Sequence, residues 1–286
     1  MPYPVHRRRL GLAPFLLVVA WLALTPAQAQ PTWRLRLSVQ RGTPSGRIRV
    51  REFDRRGTPL KLSGDLGIDR LQTVDLSADR SLGDVAAIHL GINSMSLTGS
   101  AILAHPIEFN GTRIASGEIS TVTGFPNFLR VDASYRHQLA SFGHGAGLWG
   151  GIGVTYVMLN FKLHATVAAD SRGHETKEDF LTQELPVPML SLHFIYPLTT
   201  GLDLFADLDG GHLPWVNSLR KEGGEVRLTQ TNTDARIGLS YRFAQRWNVA
   251  VFGYSRYFMQ GERSSEDGNY FHLHDHGIGL GVMYLF

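Results

Sequence analysis

The sequence predicts an all-β protein, a closed antiparallel transmembrane β-barrel of about ten strands within a range of roughly eight to twelve. Three observations predict it. Apolar and polar residues alternate with period two along most of the chain, while the i, i+3, i+4 spacing of amphipathic helices is scarce. The segments joining the alternating runs are short and long in turn, as expected of a barrel with short turns at one rim and long loops at the other. The chain also carries an export leader but no cysteine. Small exported domains usually rely on disulfides, so this one needs a large core or a membrane instead.

In chain order, residues 1–29 read as a secretory signal peptide. Arg7, Arg8 and Arg9 precede an apolar run through Leu24, and Ala27-Gln28-Ala29 offers a small-x-small cleavage site. The run is short for a spanning helix. The net charge of +3 originates here, because the leader holds three of the 28 basic residues and none of the 25 acidic ones. A neutral mature chain has no basic patch for a phosphate backbone, which excludes nucleic acid as a partner. Residues 30–83 show alternation in "TWRLRLSV", "GRIRVREF" and "LQTVDLSA", with "GTPLKLSGDLGID" as a turn-rich connector. Residues 84–286 form the body of the barrel, with eight strands near 84–97, 117–138, 147–164, 186–198, 202–211, 231–243, 247–259 and 272–286. Strands near 46–54 and 71–79 bring the count to ten, and a partial plug from 55–70 is the main rival use of the N-terminal part.

Each run sorts into two faces, because successive residues of a strand point to opposite sides. In "DARIGLSYRF", Ala235, Ile237, Leu239, Tyr241 and Phe243 suit lipid, whereas Asp234, Arg236 and Arg242 suit water. "LDLFADLDG" opposes Leu202, Leu204, Ala206 and Leu208 to Asp203, Asp207 and Asp209, and "FLRVDASYRH" opposes Leu129, Val131, Ala133 and Tyr135 to Arg130, Asp132 and Arg136. A soluble sandwich alternates too. Connection lengths decide against it: "ASFGHGAG", "PLTTG" and "AQRW" are short, whereas "GSAILAHPIEFNGTRIAS", "TVAADSRGHETKEDFLTQE" and "GHLPWVNSLRKEGGEVRL" are long. Phe243, Trp247, Tyr284 and Phe286 gather at the short-turn rim as an aromatic girdle. In "GAGLWGGIGVTYVMLNF" the apolar phase passes from even (Ile152, Val154, Tyr156) to odd (Leu159, Phe161, Leu163), which predicts a bulge near Val157.

The lumen face thus collects His89, Arg130, Asp132, Arg136, His193, Asp203, Asp207, Asp209, Asp234, Arg236 and Arg242, with Arg256 less firmly placed. A barrel this narrow is filled by its own side chains, and opposite charges inside it pair. A narrow solute passage is the rival. For strands 202–211 and 231–243, charge matching favours a register in which paired residue numbers sum to 445, placing Asp203 opposite Arg242 and Asp209 opposite Arg236.

The tail "YFHLHDHGIGLGVMYLF" places Ile278, Leu280, Val282, Tyr284 and Phe286 on one apolar stripe ending at the terminus. It resembles the terminal strand of Gram-negative outer-membrane β-barrels, and the roughly 200-residue strand pattern is similar to the small OmpA-, OmpW- and lipid-A-remodelling barrels. The resemblance implies insertion in the outer membrane, with the tail as the signal read by the insertion machinery and with lipid and lipopolysaccharide as surroundings. No cofactor is implied.

His272, His274 and His276 share the outward stripe, above the 9–11 residues that a tilted strand needs to span. An interfacial polar band is the plainest reading. Three imidazoles in line over about 13 Å cannot share one ion, although His272 and His274 can act as a metal pair. Lipid-A-remodelling barrels use rim histidines beside a serine or acid, so the resemblance implies an alternative: an enzyme acting on lipid, of the lipid A deacylase kind. Here the nearest hydroxyls, Ser264 and Ser265, lie in a loop. The leading reading is a non-enzymatic barrel, either envelope-structural or a narrow channel; a surface-binding barrel is a further alternative.

Overall fold

The computed structural model describes residues 33–51, 56–124, 126–166, 173–179, 185–218, 225–265 and 268–286; the predicted leader lies outside them. Among the described residues, fifteen strands follow one another in chain order. Ten close a ring: β1 (Trp33–Arg49), β3 (Ile68–Ser81), β4 (Ala86–Leu103), β8 (Phe128–Ser141), β9 (Gly147–Thr166), β11 (Val187–Thr199), β12 (Leu202–Asn217), β13 (Arg227–Ala244), β14 (Trp247–Arg263) and β15 (Tyr270–Leu285). Every pairing is antiparallel, and β1 closes on β15 from Arg34 opposite Leu285 to Arg49 opposite Tyr270. The remaining five dress the long-loop rim: β2 (Leu60–Lys61), β5 (Ile107–Phe109), β6 (Thr112–Ile114), β7 (Gly117–Thr123) and β10 (Gly173–Asp179).

Closure follows from local chemistry. The short turns carry left-handed residues that reverse the chain in few steps, with Gly143 and Gly145 at φ 79° and 84° between β8 and β9, and Gly201 at φ 92° between β11 and β12. The final residue completes the seam: Trp33 and Phe286 exchange backbone hydrogen bonds of 3.0 Å in both directions, and their rings stack at 6.4 Å. Deleting Phe286 is therefore expected to impair assembly more than deleting any loop tip, read as loss of the heat-modifiable folded band on gels. Normal assembly without it would count against both the seam and the insertion-signal resemblance.

Three expectations are corrected. The strand near 46–54 is the upper end of one 17-residue strand that starts at Trp33. Pro44 does not interrupt it, because it falls between Gly42, the last residue paired with β3, and Arg47, the first paired with β2, where β15 is the one ladder partner. The strand near 117–138 is split into β7 and β8 around Gly124 and Pro126. The bulge near Val157 is absent: β8 and β9 pair without a shift from Phe128–Leu159 to Gln138–Trp149. Odd residues of β9 point inward throughout. Low in the barrel they are Gly151, Gly153 and Thr155, and higher up they are Val157, Leu159, Phe161 and Leu163, each 0–1% exposed. The apolar phase changes because the surroundings exchange. Below, lipid lies outside and a polar network inside; above, water lies outside and an apolar core inside.

The outer face carries the matching belt. Val39, Leu280, Val251, Leu239, Leu204 and Tyr196 stand side by side across six strands. Leu190 is 68% exposed and Ile278 71%. An apolar surface that encircles the molecule is far beyond the scattered patches of a soluble monomer. At the short-turn rim Trp247 and Tyr284 contact at 4.7 Å, and Tyr284 stacks on Phe286 at 5.8 Å, forming part of the girdle.

Candidate functional site

The lumen has three layers, each built from inward residues of successive strands. The lowest is a vestibule at the short-turn rim, a cavity of about 350 Å³ whose walls include Arg34, Arg36, Asp203, Ser240, Arg242 and Asn248 beneath a roof of Phe205 and Phe252. Those two rings meet edge-on at 6.2 Å. A Cβ on Gly279 would run into the Phe252 ring, so this inward glycine admits a bulky neighbour and leaves no gap.

The middle layer is a charge network across the barrel. Asp79 of β3 lies 3.2 Å from the Arg136 guanidinium and 2.8 Å from His89 Nδ1, while His89 Nε2 reaches Asp132 at 3.3 Å. Asp132 continues to Arg130 at 3.6 Å. His193 contacts Asp207, its register partner, and Arg36 approaches Asp207 from the opposite wall at 3.8 Å. Arg236 joins Asp234 at 2.8 Å and Asp75 at 3.5 Å. Arg256 ties the layer together: Nε donates to Asp234 at 2.9 Å, Nη1 to Thr73 at 3.1 Å and Nη2 to Gln40 at 2.9 Å. Nearby, the Tyr254 hydroxyl donates to Asp275 at 2.7 Å, and a Cβ on Gly42 would collide with both groups. The void left among these side chains is about 30 Å³, room for one or two waters.

The top layer is apolar. Phe128, Phe161 and Phe271, with Leu71, Leu97 and Leu273, are fully buried inside the ring. Connecting segments complete it, with Leu60, Leu62 and Leu66 from the β1–β3 connection and Ile107, Phe109 and Ile114 from the β5–β6 hairpin. Residues 60–66 thus contribute a partial plug, while β1 and β3 on either side belong to the wall.

The structure places nine of the sequence-assigned lumen residues in the middle layer (His89, Arg130, Asp132, Arg136, His193, Asp207, Asp209, Asp234 and Arg236), with Asp203 and Arg242 in the vestibule. The 445 register is corrected to 443: Asp203 faces Ser240, Asp207 faces Arg236, and Asp209 faces Asp234. Pairing within two strands is too narrow a criterion inside a barrel. Asp234 is satisfied by Arg256, its partner on the other neighbouring strand, as well as by Arg236, so it tolerates Asp209 opposite. Arg34, Arg36, Gln40, Thr73, Asp75, Asp79 and Asp275 were missed. Those on β1 and β3 carried a signal, because "RLRLSVQ" and "TVDLSAD" alternate like the runs further along.

On the outer wall His272, His274 and His276 are exposed and line up along β15. Tyr270 packs on His272 at 5.3 Å and Tyr257 on His274 at 4.6 Å. Among the described residues no group of three or more potential metal ligands converges.

The ring, its apolar belt and its aromatic rim decide the setting. The chain is an outer-membrane β-barrel. No family model matches it and no curated protein matches it. Among solved structures it is similar to the outer-membrane protease OmpT of Escherichia coli, at 10% identity and TM-score 0.51, covering 91% of this chain and 99% of that one. The translocator domain of the autotransporter NalP from Neisseria meningitidis matches at 15% identity and TM-score 0.39, over 96% and 95% of the two chains. An outer-membrane channel from Pseudomonas putida F1 matches at 11% and 0.38, over 92% and 100%. At these identities the likeness of this outer-membrane barrel to OmpT concerns the fold alone.

Proposed function

We propose that this protein is a non-enzymatic outer-membrane barrel that reinforces the envelope and is sealed against solute passage. The observation that carries the reading is the filled lumen: a charge network with a void of about 30 Å³ lies beneath an apolar core with fully buried phenylalanines. A solute would have to break buried ion pairs and then displace packed rings, and each costs several kcal/mol. Planar-bilayer recording of the full-length barrel is expected to show no single-channel steps. Steps that disappear in an Asp207→Ala/Asp209→Ala variant would establish the narrow-channel reading instead. Lipid A mass spectra from cells with and without the protein are expected to be identical, and a lost or gained acyl chain would favour the lipid-modifying alternative.

A further inference from the structure

The histidine row lies outside the lumen, and its neighbours give it a use. The register sets Ser255, Tyr257 and Met259 of β14 beside His276, His274 and His272, and sets Thr43, Ser45 and Arg47 of β1 on their other side. One same-face step lower, Ile278 stands beside Arg41 at the upper edge of the apolar belt. The outer wall at the β14–β15–β1 seam is therefore a plate three strands wide. It carries two exposed guanidiniums, three imidazoles and five hydroxyl-bearing side chains counting Tyr270.

Among the described residues, these three strands put no carboxylate on that face. The acidic residues of these three strands, Glu262 and Asp275, are 3% and 1% exposed on the lumen side. Arg49 is already engaged, donating to the Gly268 carbonyl at 3.2 Å and lying over the Tyr270 ring at 4.9 Å, whereas Arg41 and Arg47 make no such contact among the described residues.

We propose that this plate holds the phosphate of an anionic lipid headgroup in the outer leaflet. The position selects the occupant, since a surface that starts where the apolar belt ends faces headgroups, and cations there are drawn to anionic ones. Guanidinium groups supply paired donors to phosphate oxygens, and the hydroxyls and imidazoles supply the rest. The inference rests on the membrane setting and is independent of whether the lumen conducts.

The test is native mass spectrometry of the full-length barrel in detergent, titrated separately with phosphatidylglycerol and phosphatidylcholine. Wild type is expected to retain phosphatidylglycerol preferentially, and the preference should fall as ionic strength rises. Arg41→Gln/Arg47→Gln should weaken phosphatidylglycerol retention by about 25-fold, from roughly fivefold per cation near an anionic surface, and leave phosphatidylcholine unchanged. Heat-modifiable migration checks that the variant is folded; if it is not, the lipid preference and salt dependence of wild type alone decide. Equal retention of the two lipids, or no salt dependence, would overturn the proposal. So would displacement by inorganic phosphate at equal concentration, which marks a free-anion site, or loss of retention on adding a chelator, which marks a metal.

Discussion

Replacing Arg256 by methionine is expected to cost the barrel about 3–5 kcal/mol, the range for breaking a buried ion pair by removing one partner. Arg256 is 3% exposed and its partner Asp234 1%. Its three donor contacts run to β13, β3 and β1, so one side chain braces four strands across the lumen. The midpoint of heat-modifiable migration should fall sharply. Asp234 keeps Arg236 at 2.8 Å, so Asp234→Asn/Arg256→Met should recover only part of the loss: it neutralises the carboxylate that lost Arg256 but leaves Arg236 to Asp75 at 3.5 Å. By contrast Asp69 and Arg70, 3.9 Å apart and mostly exposed, form the kind of surface pair worth about 0–1 kcal/mol, and Asp69→Asn should leave the midpoint unchanged. A midpoint in Arg256→Met equal to wild type would show that the network does not bear on stability.

How far the sequence reveals this architecture depends on what each signal measures. Alternation reports that the two faces of a strand meet different surroundings, and it located strands such as β13 and β15 well. It does not report which surroundings. Along β9 the period never breaks, yet the apolar residues pass from the outer face at Ile152 and Val154 to the inner face at Leu159 and Phe161. A phase change in a sequence therefore has two causes, an inserted residue or a boundary between lipid and water outside. The second operates here, and the same exchange occurs on β15, where Phe271 and Leu273 face in while His272 and His274 face out. Charge identity at single positions was equally readable, but its pairing was not. Partners such as Arg36 with Asp207 and Arg236 with Asp75 meet across the lumen, between strands that share no ladder. The plug was the least legible part, since Leu60, Leu62 and Leu66 sit among turn residues, and it took the long-range contact with Phe128, Phe161 and Phe271 to show what they bury against.

Phe271→Ala is expected to be the most damaging single apolar substitution of that upper core. The ring is fully buried and lies 6.2 Å from Phe128, 6.2 Å from Phe161 and 6.0 Å from Phe258, so it is the member that touches three other rings. Truncating a packed phenylalanine costs about 3–5 kcal/mol, because transfer energy is lost and the rigid wall cannot collapse into the space. Phe271→Leu, which keeps most of the volume, should cost under about 1.5 kcal/mol. The wall strands are also held by continuous ladders, whereas residues 60–66 hold their place through this core and a few backbone bonds, such as Leu62 to Gly46. The loss should fall first on that segment. Lys61 is exposed, so trypsin cleavage after it reports the loosening directly. Cleavage should accelerate strongly in Phe271→Ala, weakly in Phe271→Leu, and not at all in Ile278→Ala on the lipid face. Protection of Lys61 in Phe271→Ala equal to wild type would mean that the segment is fixed by its own turn and β2 pairing, and that the aromatic core closes the barrel without anchoring the plug.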